Sequence, residues 1–294
     1  MTPHLAYTLF MILAIAALVT ARRVQPDPQI EPIPRRRDRF CLAWAAFIGA
    51  GLGAKIPFVI AAGHEHWLTP HAWLSDGKTI LAGMAGGYLA VEIAKKILGV
   101  RAKTGDAIAF PLAVCVAVGR WGCFFNGCCV GTETHLPWAT DFGDGVGRHP
   151  TQIYESLFHL AMAVVLWHVA RRGLLRWQRL KLYLIAYCAF RFTTEFIRPE
   201  PRVIGGLTAY QWGAAAMAAA LIVQWRLDTP RLTSLHYRGM GASPMRPAAP
   251  ADERRVGATL VFAGRAGAGE DELRPYKTER PVAAADDPPG DHAT

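Results

Sequence analysis

The chain has 294 residues, 52 % of them hydrophobic, and a formal net charge of +9 from 32 basic and 23 acidic side chains. Residues 1–226 carry 23 basic and 13 acidic residues, against 9 and 10 in residues 227–294. The basic excess therefore lies among apolar runs, where it suits anionic lipid headgroups and argues against a nucleic-acid surface.

The apolar runs fall at roughly 5–21, 41–62, 79–98, 107–125, 153–170, 180–197 and 207–225, each about the length that a bilayer core demands. In hydrocarbon a segment must satisfy its own backbone polar groups, so these runs read as helices and not as strands of a soluble sheet. The expected fold is all-α, a polytopic membrane protein with seven transmembrane helices. The gaps after the odd-numbered runs, with the run ends that border them, hold 15 lysines and arginines, and those after the even-numbered runs hold 4. The positive-inside rule then puts the N-terminus outside and the C-terminus in the cytoplasm.

The first run has its basic residues, Arg22 and Arg23, behind it, the reverse of a cleaved secretory signal. The loop that follows, with prolines at 26, 28, 32 and 34, reads as an extended connector. Runs two and three contain "GAGLG" (49–53) and "GMAGG" (83–87). Small residues there suit close helix packing, or else leave backbone open to a lipid substrate, and Gly86 and Gly87 are candidates for the second role.

Run four ends in "GRWGCFFNGCCVG", residues 119–131. A charge at bilayer depth costs at least about 2.5 kcal/mol, so Arg120 is a site candidate, and it has no local anion. Cys41, Cys115 and Cys188 lie inside apolar runs and read as small hydrophobes. The spacing of Cys123, Cys128 and Cys129 matches no common zinc pattern, so no metal is expected. If a disulfide forms there, it joins Cys123 to one of the adjacent pair. The next loop, "GRHPTQIYES", brings Arg148, His149, Gln152, Tyr154 and Glu155 into the start of helix five, with Thr151 as a candidate cap.

Run six holds Arg191 and Glu195, four apart on one helix face, with Arg198 near the same face. They form either a self-neutralising ion pair or part of an anion site. With Arg120, Asn126 and Gln211 they place many polar groups in the outer half of the bundle, which suits a phosphate-bearing headgroup bound by arginine forks. Residues 227–294, rich in Pro, Ala and Gly with interspersed charge, read as a largely disordered cytoplasmic tail behind a membrane domain of residues 1–226. The sequence contains no dinucleotide fingerprint, and no cofactor is expected.

In order along the chain, Tyr7, "GMAGG", "GRWGCFFNGCCVG", "RHPTQIYE", "FRFTTEFIR" and "GLTAYQ" resemble the bacterial prolipoprotein diacylglyceryl transferases. The resemblance implies a multi-pass protein of the bacterial inner membrane that moves the diacylglyceryl group of phosphatidylglycerol to a lipobox cysteine of a prolipoprotein signal peptide. It implies that Arg120 and Arg191 hold the phosphate and that Glu195 orients an arginine. Tyr7, Asn126, Gly131, Arg148, Gln152, Tyr154, Glu155, Arg198, Gln211, Gly86 and Gly87 then contribute to substrate binding. The family's third-helix histidine is replaced here by Ala85, and Cys128 and Cys123 replace polar residues of the central motif. Three readings follow: the same reaction with His149 as the base, a transferase with another acceptor using Cys128 or Cys123 as a nucleophile, or a non-catalytic phospholipid-binding protein.

Overall fold

The computed structural model describes residues 3–25, 33, 35–61 and 79–240, all belonging to one compact unit, Met1–Ala242. Within these residues the chain forms seven α-helices, one for each apolar run. They are α1 (Pro3–Val24), α2 (Arg36–Ala61), α3 (Ile80–Leu98), α4 (Gly105–Phe125), α5 (Thr151–Arg171), α6 (Arg179–Thr194) and α7 (Ala209–Met240). Two short antiparallel ladders lie between them: β1 (Thr140–Asp141) with β2 (Gly147–Arg148), and β3 (Arg202–Ile204) with β4 (Leu207–Thr208). The sixth run ends earlier as α-helix than its apolar length suggests. Its last turn tightens into a 3₁₀ turn, Glu195–Ile197, before Pro199. The seventh helix runs past the expected boundary at 226 to Met240, while positions 241–294 of the expected tail lie outside the described residues. Most of the proline-rich connector also lies outside them.

Helices α1, α2, α4 and α5 are long and apolar enough to cross a bilayer. The other three carry charge within the helix: Glu92, Lys95 and Lys96 in α3, Arg179, Lys181 and Arg191 in α6, and Arg226 and Asp228 in α7. Polarity is inverted relative to a water-soluble bundle. Large apolar side chains such as Ile12, Phe47, Leu89, Ile97 and Val164 turn outward, whereas Arg120, Gln152, Glu155, His159, Arg179, Glu195 and Gln211 are buried. An outer surface of this kind is satisfied by hydrocarbon and not by water.

Helix α4 sits at the centre, against α1, α5 and α6, while α2 pairs with α3 and α6 with α7. Its inner side is made of Ala109, Ala113 and Ala117, small enough for Leu166 of α5 and Tyr183 and Leu184 of α6 to close over it. The α2–α3 contact decides between the two readings of the glycines. A β-carbon on Gly86 would stand 2.3 Å from the Gly49 carbonyl oxygen, and one on Gly53 2.4 Å from that of Ala82. Backbone meets backbone there, and Gly86 and Gly87 pack against α2 instead of opening to a substrate. On the other side Gly119 and Gly122 let α4 approach Met11 and Phe10 of α1.

The helix ends near Asp106 and Lys181 are fastened by polar bonds. Asp106, at the start of α4, accepts the backbone N–H groups of Trp177 and Arg179 and so ties the α5–α6 connection to α4. The Lys181 ammonium donates to Asp228 of α7 and to Gln178. These bonds fix α6 and α7 against α4, which sets the position of Arg191 relative to Arg120.

Candidate active site

Arg120 lies in the last two turns of α4 and is 4 % exposed. A guanidinium so enclosed requires a counter-ion, and Glu155 from the first turns of α5 supplies it: Nη2 is 2.6 Å from Glu155 Oε2. The sequence offers Arg120 no local partner because this anion comes from another helix, 35 positions along. The Tyr187 hydroxyl of α6 donates to Glu155 Oε1 at 2.5 Å, and His159 Nε2 lies 3.9 Å from the same oxygen. His159 Nδ1 is in turn 2.8 Å from the Tyr183 hydroxyl. Three helices thus hold one carboxylate, and the carboxylate holds the arginine.

Arg191 and Glu195 form the second pair, with Nη2 2.9 Å from Oε2, and the Arg191 guanidinium lies 5.5 Å from the centre of the Tyr210 ring. Arg198, after the 3₁₀ turn, reaches back to Thr151 Oγ1 at 3.5 Å. Phe58, Thr79, Ile80, Leu81, Arg120, Cys129, Glu155, Tyr187, Arg191, Arg198, Glu200 and Tyr210 together enclose a cavity of about 180 Å³. Three guanidiniums face it against two carboxylates. Among the described residues, the buried Nε atoms of Arg120 and Arg198 have no hydrogen-bond partner. The cavity therefore retains donors for an anion while its wall from α2 and α3 is apolar.

The loop after α4 forms the rim. Gly127 (φ +67°) and Cys129 (φ +63°) are both left-handed, which turns the chain back over the end of α4. Two residues at the start of α5 clamp this turn: Gln152 Nε2 donates to the Cys128 carbonyl at 2.6 Å, and Thr151 Oγ1 to that of Cys129 at 2.5 Å. Gly131 lets the loop pass the chain leading into α5. A β-carbon there would stand 2.6 Å from His149 Cβ and 2.9 Å from the Ile197 carbonyl oxygen. Its N–H donates to the His149 carbonyl at 2.9 Å, and the next N–H, of Thr132, to that of Ile197 at 2.8 Å. Gly131 and Gln152 therefore act by shaping the rim.

Several other expected contacts fall elsewhere. Arg148 lies in the β1–β2 hairpin and binds Asp144 on the surface, where the guanidinium holds that carboxyl below its usual range. His149 does not line the cavity, and its Nδ1 lies 3.2 Å from the hydroxyl of Tyr154. Tyr154 in turn accepts a hydrogen bond from Trp138 Nε1 at 2.7 Å. Asn126 caps α4 and lines a second, shallower cavity with Phe124, Phe125, Gly127 and Phe142. The Tyr7 carbonyl faces Gly122 in the α1–α4 contact. Gln211 caps α7: its side chain accepts the Thr208 N–H at 2.9 Å, its N–H donates to Thr208 Oγ1 at 3.2 Å, and its amide reaches the Phe192 carbonyl at 3.1 Å. This is a capping box that also docks α7 on α6. Tyr187, Tyr210, His159 and Glu200 escape a sequence reading because ring and carboxylate positions in apolar or loop segments carry no pattern of their own.

The cysteines differ most from expectation. All six are free, and the sulfur atoms of Cys123, Cys128 and Cys129 lie within 4.8 Å of one another. The C-x4-C-C spacing conceals this convergence, because it depends on the left-handed turn at Gly127 and Cys129. Hydrogen bonds from the other two thiols, with Arg120 and Arg198 nearby, draw the Cys129 thiol below its ordinary range.

The family model described as Prolipoprotein diacylglyceryl transferase matches residues 4–227. Curated relatives bear the name phosphatidylglycerol-prolipoprotein diacylglyceryl transferase, among them those of three bacteria. That of Methylobacillus flagellatus is 33 % identical over 188 residues, covering 59 % of this chain and 71 % of its own length. That of Cupriavidus necator is 32 % identical over 211 residues, covering 64 % and 75 %. That of Bordetella bronchiseptica is 31 % identical over 202 residues, covering 63 % and 75 %.

Proposed function

As the chain belongs to the prolipoprotein diacylglyceryl transferase family, we propose that it transfers the diacylglyceryl group of phosphatidylglycerol to the lipobox cysteine of prolipoprotein signal peptides. The observation that carries this reading onto these residues is the set of three arginines around one cavity, Arg120 and Arg191 buried and Arg198 half-buried. In the reaction the acceptor thiol gives up its proton to solvent, and its sulfur forms a bond to the terminal glyceryl carbon as the carbon–oxygen bond to phosphate breaks. Glycerol phosphate departs with the bonding electron pair. Negative charge grows on the phosphate oxygens, and donors already fixed around them lower the barrier without reorganising.

Arg120 and Arg191 hold the phosphate, and Arg198 closes the site from the rim. Glu155 and Glu195 hold the first two arginines in place. The apolar wall at Phe58, Ile80 and Leu81 receives the start of the acyl chains. In this reading all seven helices span the bacterial inner membrane with the N-terminus outside, as the 15-to-4 asymmetry of basic residues favours. The charges within α3, α6 and α7 then face the protein or lie at the ends of the apolar runs. The cavity lies toward the outer leaflet, where secreted precursors present their cysteines.

Substituting Arg191→Ala tests the phosphate role. Transfer should fall by at least about a hundredfold, the loss typical of one charge-stabilising donor. Arg191→Ala turning over at the wild-type rate would remove the arginine cradle from the mechanism.

A further inference from the structure

Cys123, Cys128 and Cys129 have no part in holding phosphate, yet the fold goes to some length to gather them. Cys123 sits in the last turn of α4, and the other two return to it through the left-handed positions at Gly127 and Cys129. A left-handed conformation is uncommon for a residue with a β-carbon. Here it is held by the Thr151 and Gln152 bonds to the Cys129 and Cys128 carbonyls and by the Cys128 N–H on the Cys123 carbonyl at 3.2 Å. The outcome is three half-buried, unbridged sulfurs, all within 4.8 Å of one another.

Three thiolates around one ion at a metal–sulfur distance of about 2.3 Å stand roughly 4 Å apart. The observed spread closes to that value by small side-chain rotations. Thiolate donors select zinc-like or cuprous ions over magnesium or calcium. Three thiolates and a divalent ion leave one negative charge, and the Arg120 guanidinium, whose Nη2 is held by Glu155, turns its Nη1 to Cys123 Sγ at 3.6 Å. An arginine donating to a ligand sulfur is the kind of outer contact that orients and tunes a metal site. Cys129 lines the main cavity beside Arg120 and Arg198. Three protein ligands with the fourth position open is the arrangement of catalytic zinc sites, in contrast to closed structural ones.

We propose that Cys123, Cys128 and Cys129 bind one thiophilic divalent cation of the zinc class, whose open fourth position faces the cavity and takes the acceptor cysteine of the substrate. The second half rests on the transfer reaction proposed above. On coordination the acceptor thiol releases its proton to solvent, and a metal–sulfur bond replaces the sulfur–hydrogen bond. That sulfur then forms its bond to the glyceryl carbon while the carbon–oxygen bond breaks and glycerol phosphate leaves. The thioether is a weaker ligand and departs, and the ion is unchanged.

The test uses the full chain, purified in lipid nanodiscs, reduced and metal-free, and titrated with Co²⁺ as the probe. One equivalent should produce the near-ultraviolet sulfur-to-cobalt charge-transfer band and the visible bands of a tetrahedral site, and Zn²⁺ should abolish both. Cys129→Ser or Cys128→Ser should weaken binding at least tenfold, whereas Cys41→Ser, in α2, should leave it unchanged. Adding a lipobox peptide with a free thiol should shift the visible bands, and the S-methylated peptide should not. Absence of the charge-transfer band in reduced protein, or a band indifferent to both Cys128→Ser and Cys129→Ser, overturns the site. A Cys123 disulfide that persists under reductant does the same. An unshifted spectrum with the thiol peptide, or full transfer by metal-free protein, overturns the acceptor role. Cobalt binding is read without turnover, so a charge-transfer band in a protein that transfers nothing counts against the enzymatic reading and not against the site.

Discussion

Replacing Glu155 by glutamine removes one charge from the centre of the bundle and almost no volume. Glu155 is 2 % exposed, and it accepts from Arg120 at 2.6 Å and from Tyr187 at 2.5 Å. With glutamine, Arg120 becomes a buried cation without a counter-ion, which costs about 3–5 kcal/mol when a buried pair is broken from one side. At 1.4 kcal/mol per decade this is roughly a hundredfold to several-thousandfold loss in the folded-to-unfolded ratio. Arg120 also loses its orientation, and a displacement of about 1 Å at a reacting centre can cost a further hundredfold in rate. The assay pairs thermal unfolding in nanodiscs with transfer measured on the fraction that remains folded. The double variant Arg120→Gln with Glu155→Gln should regain most of the stability and none of the activity, because the orphaned charge is gone but so is the phosphate ligand. Wild-type stability and turnover in Glu155→Gln would refute the assignment of Glu155 as the anchor of Arg120. A double variant no more stable than the single would refute the energetic reasoning.

Gly86→Val should lower the unfolding midpoint sharply, since its β-carbon would meet the Gly49 carbonyl oxygen at 2.3 Å and overpacking costs at least about 1–3 kcal/mol; the surviving folded protein should keep its KM for phosphatidylglycerol. Gln211→Ala should cost about 1–2 kcal/mol through the lost capping box, again with KM unchanged, which titration of lipid in mixed micelles measures. Arg148→Ala should leave turnover and the unfolding midpoint unchanged, because its partner Asp144 lies in an exposed hairpin where salt and water screen the pair.

The seven helices were legible because hydrophobic length is a local property, and each apolar run became one helix in the described residues. Arg120, Arg191, Glu195 and Arg198 were legible because charge at bilayer depth is costly enough to require a reason. Partners across helices were not, since Glu155 meets Arg120 only through the α4–α5 packing that the alanine-rich face of α4 permits. Motif proximity also overreached: Arg148, His149 and Tyr154 stand within a few positions of Glu155, but the chain turns at Pro150 into α5 and leaves Arg148 and His149 before it, and Tyr154, in the first turn of α5, bonds to His149 and Trp138 instead of lining the cavity. Gln211 looked like a ligand because it is a polar residue at depth, and its bonds are spent on capping α7. The glycines of α2 and α3 were ambiguous until the facing backbone was known. The convergence of three sulfurs lay beyond any spacing rule because it depends on φ at two loop residues.

The most direct measurement supplies nanodisc-embedded protein with phosphatidylglycerol labelled in its diacylglyceryl moiety and with a lipobox peptide. Label should move to the cysteine sulfur, with one glycerol phosphate released for each thioether formed, and an S-methylated peptide should receive none. Folded protein that binds phosphatidylglycerol yet transfers no label, or that labels the blocked peptide equally, would contradict the proposed reaction.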